Sequence, residues 1–299
     1  MATLFEGSAV ALVLPMFEDG SIDYEGYKKQ VQRMIDGGVQ ALLVNGTTGE
    51  TATITIEEEF KLTEMTIEMA KGTGVKVIAG AGSNDTMTAL KKAEFNKSAG
   101  ADANLIVTPY YNKTSQRGLI EHYTYIADRV DLPIIMYNVP GRTGMKIDAS
   151  TVATLAKHKN IVAMKDATDN IGYAMEVMTR TRDEDFCLYS GCDDNILPFI
   201  AAGGKGVISV LSNIYPRETE MFAQAVLKGD MKKAREMAYD LNDVSKYLFV
   251  DVNPIMPKAA LKAMGVIESD MVRRPLIPTT DENKALLAQA MKTFESKGY

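Results

Sequence analysis

"ALLVNGTTGETATITIEEEFKLTEMTIEMAKGTGVKVIAG", residues 41–80, sets two short aliphatic runs on either side of one long amphipathic stretch. The flanking runs, ALLVNG (41–46) and VKVIAG (75–80), have the length and branched side chains of strands. The middle stretch opens on an acidic first turn, TIEEE, and stops at Lys71-Gly72, as a helix does. Strands that are apolar along almost their whole length, joined by a helix, run parallel and are covered on both faces. The segment is therefore one strand-helix-strand unit.

The same alternation extends in both directions. Further strand candidates are AVALVLP (9–15), ANLIVTP (103–109), PIIMYNV (133–139), IVAMKDA (161–167), FCLYSG (186–191) and GVISVL (206–211), each followed by a helical pattern. One of these, DASTVATLAKHKN, carries Asp148 or Ser150 as its cap. Right-handed crossovers leave two architectures, an open doubly wound sheet or a closed barrel. Eight units in about 230 residues, with no GxGxxG opening after the first strand, select the (β/α)8 TIM barrel. The remainder is helical without a strand run, so a catalytic barrel over 1–229 and a C-terminal helical appendage over 230–299 are expected.

Composition narrows the function. The chain has 299 residues, 46% hydrophobic and 24% charged, and a formal charge of −6, which disfavours a nucleic-acid or anionic-membrane partner. No apolar run reaches the roughly 18 residues of a membrane span, and the N-terminus lacks a basic n-region, so a cytoplasmic location is expected. Two cysteines, Cys187 and Cys192, and two histidines, His122 and His158, are too few and too scattered for a zinc site or a histidine-based triad. Both histidines are expected in solvated or helix-end positions. The GGKG at 203–206 reads as the end of a helix and the start of a strand rather than as a phosphate loop.

Barrel enzymes place their chemistry at the C-terminal ends of the strands. There the chain carries NGTTGET, TPYYNK, YNVPGRTG, Lys165 and SGCDDN. Alternation along IVAMKDA puts Val162, Met164 and Asp166 on one face and Ile161, Ala163, Lys165 and Ala167 on the other. Lys165 thus sits among small residues. A desolvated lysine lowers its pKa and becomes an amine nucleophile, able to form a Schiff base with a ketone and so to activate the adjacent carbon. The bland alternative is an ion pair with Asp166 or another carboxylate. Tyr137, on the next strand, offers a phenol for proton transfer or merely packs. Thr47 and Thr48, between glycines, suit a small carboxylate or form an ordinary turn. Arg142 offers a bidentate fork or is a solvated rim charge. Tyr110 and Tyr111 point to opposite sides if extended.

Taken in order, GTTGE, TPYYNK, YNVPGRTG, VAMKDAT, YSG, GGKGVISV and VNPIMPKAALKAMG resemble the dihydrodipicolinate synthases of the pyruvate-dependent class I aldolase superfamily, over most of the chain. The resemblance implies an iminium between pyruvate and Lys165, its enamine, and attack on aspartate-semialdehyde with cyclisation, in the route to diaminopimelate and lysine. It implies a proton relay of Thr47, Tyr137 and Tyr111, the last supplied across a dimer interface. Thr48 would contact the pyruvate carboxylate and Arg142 the second carboxylate, and Gly191 and Ile208 would line the pyruvate pocket. No cofactor or metal is implied, and the assembly would be a homotetramer of two tight dimers. The alternative within the superfamily is an N-acetylneuraminate lyase or 2-keto-3-deoxy sugar acid aldolase. Sialic-acid lyases resemble GSTGE at the threonine loop and carry an apolar residue at Arg142, so both features here favour the synthase.

The lysine feedback site of some family members would correspond to Thr51, Ala52, Ile56, Glu59, Asn84, Thr88 and Tyr110. Ile56 and Glu59 stand where sensitive members carry imidazoles, and Thr88 where they carry a carboxylate. Weak or absent inhibition by lysine is therefore expected. Cys192 stands where relatives have another polar residue; no catalytic role is expected of it, although its modification would slow entry.

Overall fold

In a computed structural model, which describes residues 3–299, the eight strand candidates close into one parallel barrel in sequential order, β1 to β8. The first half of the chain runs β1 (Gly7–Ala11), α1 (Tyr24–Asp36), β2 (Ala41–Val44), α2 (Ile56–Ala70), β3 (Lys76–Gly80), α3 (Thr86–Ala99), β4 (Ala103–Val107) and α4 (Gln116–Ala127). The second half of the barrel follows as β5 (Ile134–Asn138), α5 (Pro140–Thr143), α6 (Ala149–Leu155), β6 (Ile161–Asp166), α7 (Ile171–Thr181), β7 (Cys187–Ser190), α8 (Ile196–Ala201), β8 (Gly206–Ser209) and α9 (Pro216–Leu227). Helices α10 (Met231–Tyr247), α11 (Ile255–Ala263) and α12 (Asp281–Glu295) complete it. The TIM barrel with C-terminal helices expected from the alternation is the observed fold.

Local chemistry accounts for the ends of the elements. A reciprocal capping box between Thr55 and Glu58 starts α2, and Asp148 occupies the cap position of α6 without a side-chain cap bond. The barrel closes where Gly7 of β1 meets Gly206 of β8. Gly206 has φ 155°, and a Cβ there would lie 2.0 Å from the Gly7 carbonyl oxygen, so only glycine lets these strands approach. Strands 1 and 8 are shorter than their apolar runs. Leu12–Leu14 and Leu211 remain buried beyond the paired segment, because apolar content reports burial whereas a ladder also needs a partner strand of matching length.

Two apolar layers follow from the two faces of each strand. Ala9, Leu43, Ile78, Leu105, Ile135 and Ala163 fill the interior, while Val10, Leu42, Ile106 and Met164 pack outward under the helices. Phe5 plugs the N-terminal end, stacked 4.1 Å from the Tyr189 ring. Helices α10 and α12 pack on α8 and α9 through one cluster that joins Met237, Leu241 and Leu287 to Ile196 and Phe222. No described helix is long and apolar enough to cross a membrane.

His122 corrects the expectation of a solvated or helix-end histidine. It lies within α4 at 5% exposure, its Nδ1 paired 2.9 Å from the Thr86 hydroxyl at the start of α3, and burial pushes it down to about 4. Helix α4 presents that position to α3 rather than to water. His158 lies just beyond α6, with Nε2 3.1 Å from Asp128.

Candidate active site

Alternation along β6 makes Ala163 an interior residue and Met164 an exterior one, so Lys165 points into the barrel. Its Cα registers with Tyr137 on β5 and Tyr189 on β7. The side chain is 5% exposed, and its ammonium nitrogen lies 4.5 Å from the centroid of the Tyr137 ring. No carboxylate among the described residues forms an ion pair with it. Asp166 points outward, held by the Asn138 amide at 3.2 Å and the Thr168 hydroxyl at 2.9 Å. The ion-pair reading of Lys165 therefore does not apply to Asp166.

Burial sets the electrostatics. Desolvation pulls Lys165 down to about 8, Arg142 adds to the shift, and Asp193 opposes it. Cys192 is pushed up to about 12 by burial and nearby aspartates, and is uncharged at neutral pH. Asp193, raised by burial, accepts from the Val210 and Leu211 amides at 3.0 and 2.9 Å. Tyr137 is pushed up to about 12 by burial, partly offset by Arg142 and by the Thr47 hydroxyl facing it. It remains a neutral phenol able to donate or relay a proton.

These groups surround a cavity of about 240 Å³ at the C-terminal mouth of the barrel. Thr47, Thr48, Tyr137, Arg142, Lys165 and Gly191 all line it. The floor is apolar, from Ala11, Leu43 and Leu105. Thr47 and Thr48 lie on a single 3₁₀ turn after β2, Thr47–Gly49. Gly191 leaves room for the lysine stem, since a Cβ there would stand 2.8 Å from Ala167 Cβ and 3.1 Å from Lys165 Cε. Arg142 rides on α5 and donates to the Asn253 carbonyl at 3.4 Å.

Two of the expected site residues are not among those lining this cavity in the single chain. Ile208 is packed in the interior cluster, and the residue at the end of β8 that faces the cavity is Val210. Tyr111 is 92% exposed with φ 68°, so its own chain does not bring it into the cavity.

The sequence reading missed the contribution of the C-terminal segment. Asn253 lines the cavity, and its amide donates to the Thr48 hydroxyl at 3.0 Å across 205 residues. Lys258, wholly buried, pairs with Glu50 of the GTTGE turn at 2.7 Å. The polar Asn253 and Lys258 within the apolar VNPIMPKAAL were the available signal. Asp169, Cys192 and Asp194 gather beside the cavity with ligand atoms within 4.8 Å of one another, and Asp169 accepts from Asn195.

A second cavity of about 320 Å³ adjoins the first at Thr47, Arg142 and Asn253 and is lined also by Thr51, Ala52 and Tyr110. Beside it, the buried Glu59 carboxylate is committed to Lys92 at 2.8 Å and Thr51 at 3.0 Å, and the Thr88 hydroxyl donates to Asp85 at 2.6 Å.

Comparison with known proteins gives one answer. The model of the dihydrodipicolinate synthetase family matches residues 4–294. The 4-hydroxy-tetrahydrodipicolinate synthase of Exiguobacterium sibiricum is 44% identical over 98% of this chain and 99% of its own. The crystal structure of dihydrodipicolinate synthase from Aquifex aeolicus superposes with a TM-score of 0.94 at 43% identity, covering 97% of this chain and 98% of that one. That from Thermotoga maritima gives 0.95 at 40% identity, covering 98% and 99%. The chain belongs to the dihydrodipicolinate synthetase family.

Proposed function

We propose that this protein is a 4-hydroxy-tetrahydrodipicolinate synthase that condenses pyruvate with L-aspartate-4-semialdehyde through a Schiff base on Lys165. The observation that carries the reading is a buried lysine without a counter-ion, facing a neutral phenol in a small cavity. Its amine adds to the keto carbon, water leaves, and the iminium draws electrons from the neighbouring methyl, which loses a proton to give the enamine. The iminium itself is the electron sink, so the step calls on no cofactor or metal. Tyr137 and Thr47 stand where they can carry protons, and Thr48 and the Gly191 backbone where they can hold the carboxylate. Arg142 at the rim takes the carboxylate of the aldehyde substrate.

In the same proposal the enzyme is cytoplasmic and a homotetramer of two dimers, in which a partner supplies Tyr111. The high exposure of that aromatic in the single chain supports this. The barrel to 229 is the catalytic domain and 230–299 a helical one.

Borohydride added with pyruvate should attach a three-carbon unit to Lys165, located by peptide mass mapping; labelling elsewhere or none overturns the reading. Arg142→Ala should leave that adduct intact and lower kcat/KM for aspartate-semialdehyde about 100-fold, the worth of a charge-assisted fork. Equal loss of both reactions would remove Arg142 from its assigned role.

The trapping rate should also depend on pH. With Lys165 at about 8, the reactive amine is the minor form below that value and the major form above it. The initial rate of adduct formation should climb about tenfold per unit below pH 8 and level off above it. A rise continuing to pH 10 would mean an ordinary, hydrated lysine.

Lysine should inhibit weakly or not at all, because the Glu59 carboxylate is already bound to Lys92 and Thr88 supplies no charge for an effector amine. A half-inhibitory concentration in the low micromolar range would overturn this.

A further inference from the structure

Asn253 touches both groups assigned to substrate carboxylates. Its side-chain amide donates to Thr48 Oγ1 at 3.0 Å, and its main-chain carbonyl accepts from Arg142 Nη2 at 3.4 Å. The remaining polar atom, Oδ1, is buried in a residue that lines the cavity, and it has no hydrogen-bond partner. We propose that Asn253 Oδ1 accepts a hydrogen bond from the α-ammonium of the aldehyde substrate, forming with Arg142 a subsite for its amino-acid end. The inference rests on the synthase reading and specifies how the second substrate is recognised.

Three observations converge. The bond from the Asn253 amide occupies a lone pair of Thr48 Oγ1 and leaves the Thr48 proton free to donate to the keto acid, so the same contact that orients Thr48 holds the amide by its nitrogen end. A buried acceptor without a donor is destabilising, and in a binding site a ligand N–H removes that cost. Finally, the contact between Arg142 and the Asn253 main chain fixes the guanidinium beside the same residue. An α-amino acid carries carboxylate and ammonium on one carbon, so a carboxylate held by Arg142 leaves its ammonium within reach of the neighbouring amide.

A neutral acceptor suits this position, because a bare carboxylate would cancel the field with which Arg142 attracts its ligand. Two of the nearby acids are already paired, Glu50 with Lys258 at 2.7 Å and Glu59 with Lys92 at 2.8 Å. Neither competes for the ammonium.

The test compares aspartate-semialdehyde with succinate semialdehyde, the same aldehyde acid without its amine, on the full-length enzyme saturated with pyruvate. Asn253→Ala should lower kcat/KM for aspartate-semialdehyde about tenfold to hundredfold, the effect of losing a hydrogen bond to a charged group. The inhibition constant of succinate semialdehyde should move by less than about threefold, since that ligand never uses Oδ1. Equal losses for both, or no loss for either, overturn the proposal and leave Asn253 only a positioning residue for Thr48 and Arg142. Asn253→Asp, nearly isosteric, guards against misfolding. It keeps an acceptor while weakening carboxylate binding, so the preference for the amine-bearing ligand should persist or grow, and its loss overturns the idea. Absence of aspartate-semialdehyde turnover in the unmodified enzyme overturns both this inference and the synthase reading, whereas turnover with equal losses sinks only the ammonium subsite.

Discussion

Lys165→Met is expected to lower turnover at least about 10⁴-fold, as removal of a covalent nucleophile does, and to abolish the borohydride adduct. The same substitution should make the protein more stable. A lysine at 5% exposure with no ion-pair partner keeps its desolvation cost, and its fall from 10.5 to about 8 corresponds to a net penalty of about 3 kcal/mol. The sign follows from the protonation of the two states. Below pH 8 both folded and unfolded chains carry the proton, and the folded chain bears the whole penalty. Between about 8 and 10.5 the unfolded chain binds more protons, so the stability of the lysine-bearing protein rises with pH and the advantage of the methionine variant shrinks. Denaturant titrations of both proteins at pH 7 and pH 10 check this. A less stable variant at pH 7 would mean that Lys165 is paired in the folded protein, contrary to the mechanism. Opposite changes in activity and stability are expected of a residue kept for its chemistry.

Lys258→Met should act in the other direction, costing about 3–5 kcal/mol, because it strands a carboxylate in the interior. Lys258 and Glu50 have side chains 0% and 1% exposed, joined at 2.7 Å, and the second Glu50 oxygen accepts from the Arg273 amide at 2.8 Å. Without the ammonium, Glu50 keeps one main-chain donor and loses its counter-charge. Adding Glu50→Gln to Lys258→Met should recover most of the loss, since no buried charge then remains. Thermal unfolding of the single and double variants reads both numbers. A single variant within about 1 kcal/mol of the parent would mean that water reaches the pair. Glu50 closes the turn that carries Thr47 and Thr48, so the single variant should also weaken pyruvate binding.

The barrel was legible because its signal is local. ALLVNG and VKVIAG lie on either side of a capped amphipathic helix, and the same spacing recurs along the chain until the eighth strand. Alternation in IVAMKDA likewise grouped Lys165 with Ala163, and the structure shows that face to be the inner one, where the interior cluster is found. The short helix α5 and the early end of β1 were less legible, since each depends on which neighbouring segment is available to pair or cap. His122 was misread for a related reason: helical periodicity identifies a face, but only packing against α3 decides that this face is dry.

The sequence by itself determined the order of the elements, the number of strands and the grouping of Lys165 with Ala163 on one face of β6, because backbone period and side-chain alternation act over a few residues. The tertiary structure alone decided the state of that lysine and the shape of its cavity. Its pKa comes from desolvation by walls drawn from several strands, and the grip on Thr48 and Glu50 comes from Asn253 and Lys258, 205 and 208 residues away. Desolvation and buried pairing are properties of a closed volume, and that volume exists only once the barrel and its C-terminal helices have come together.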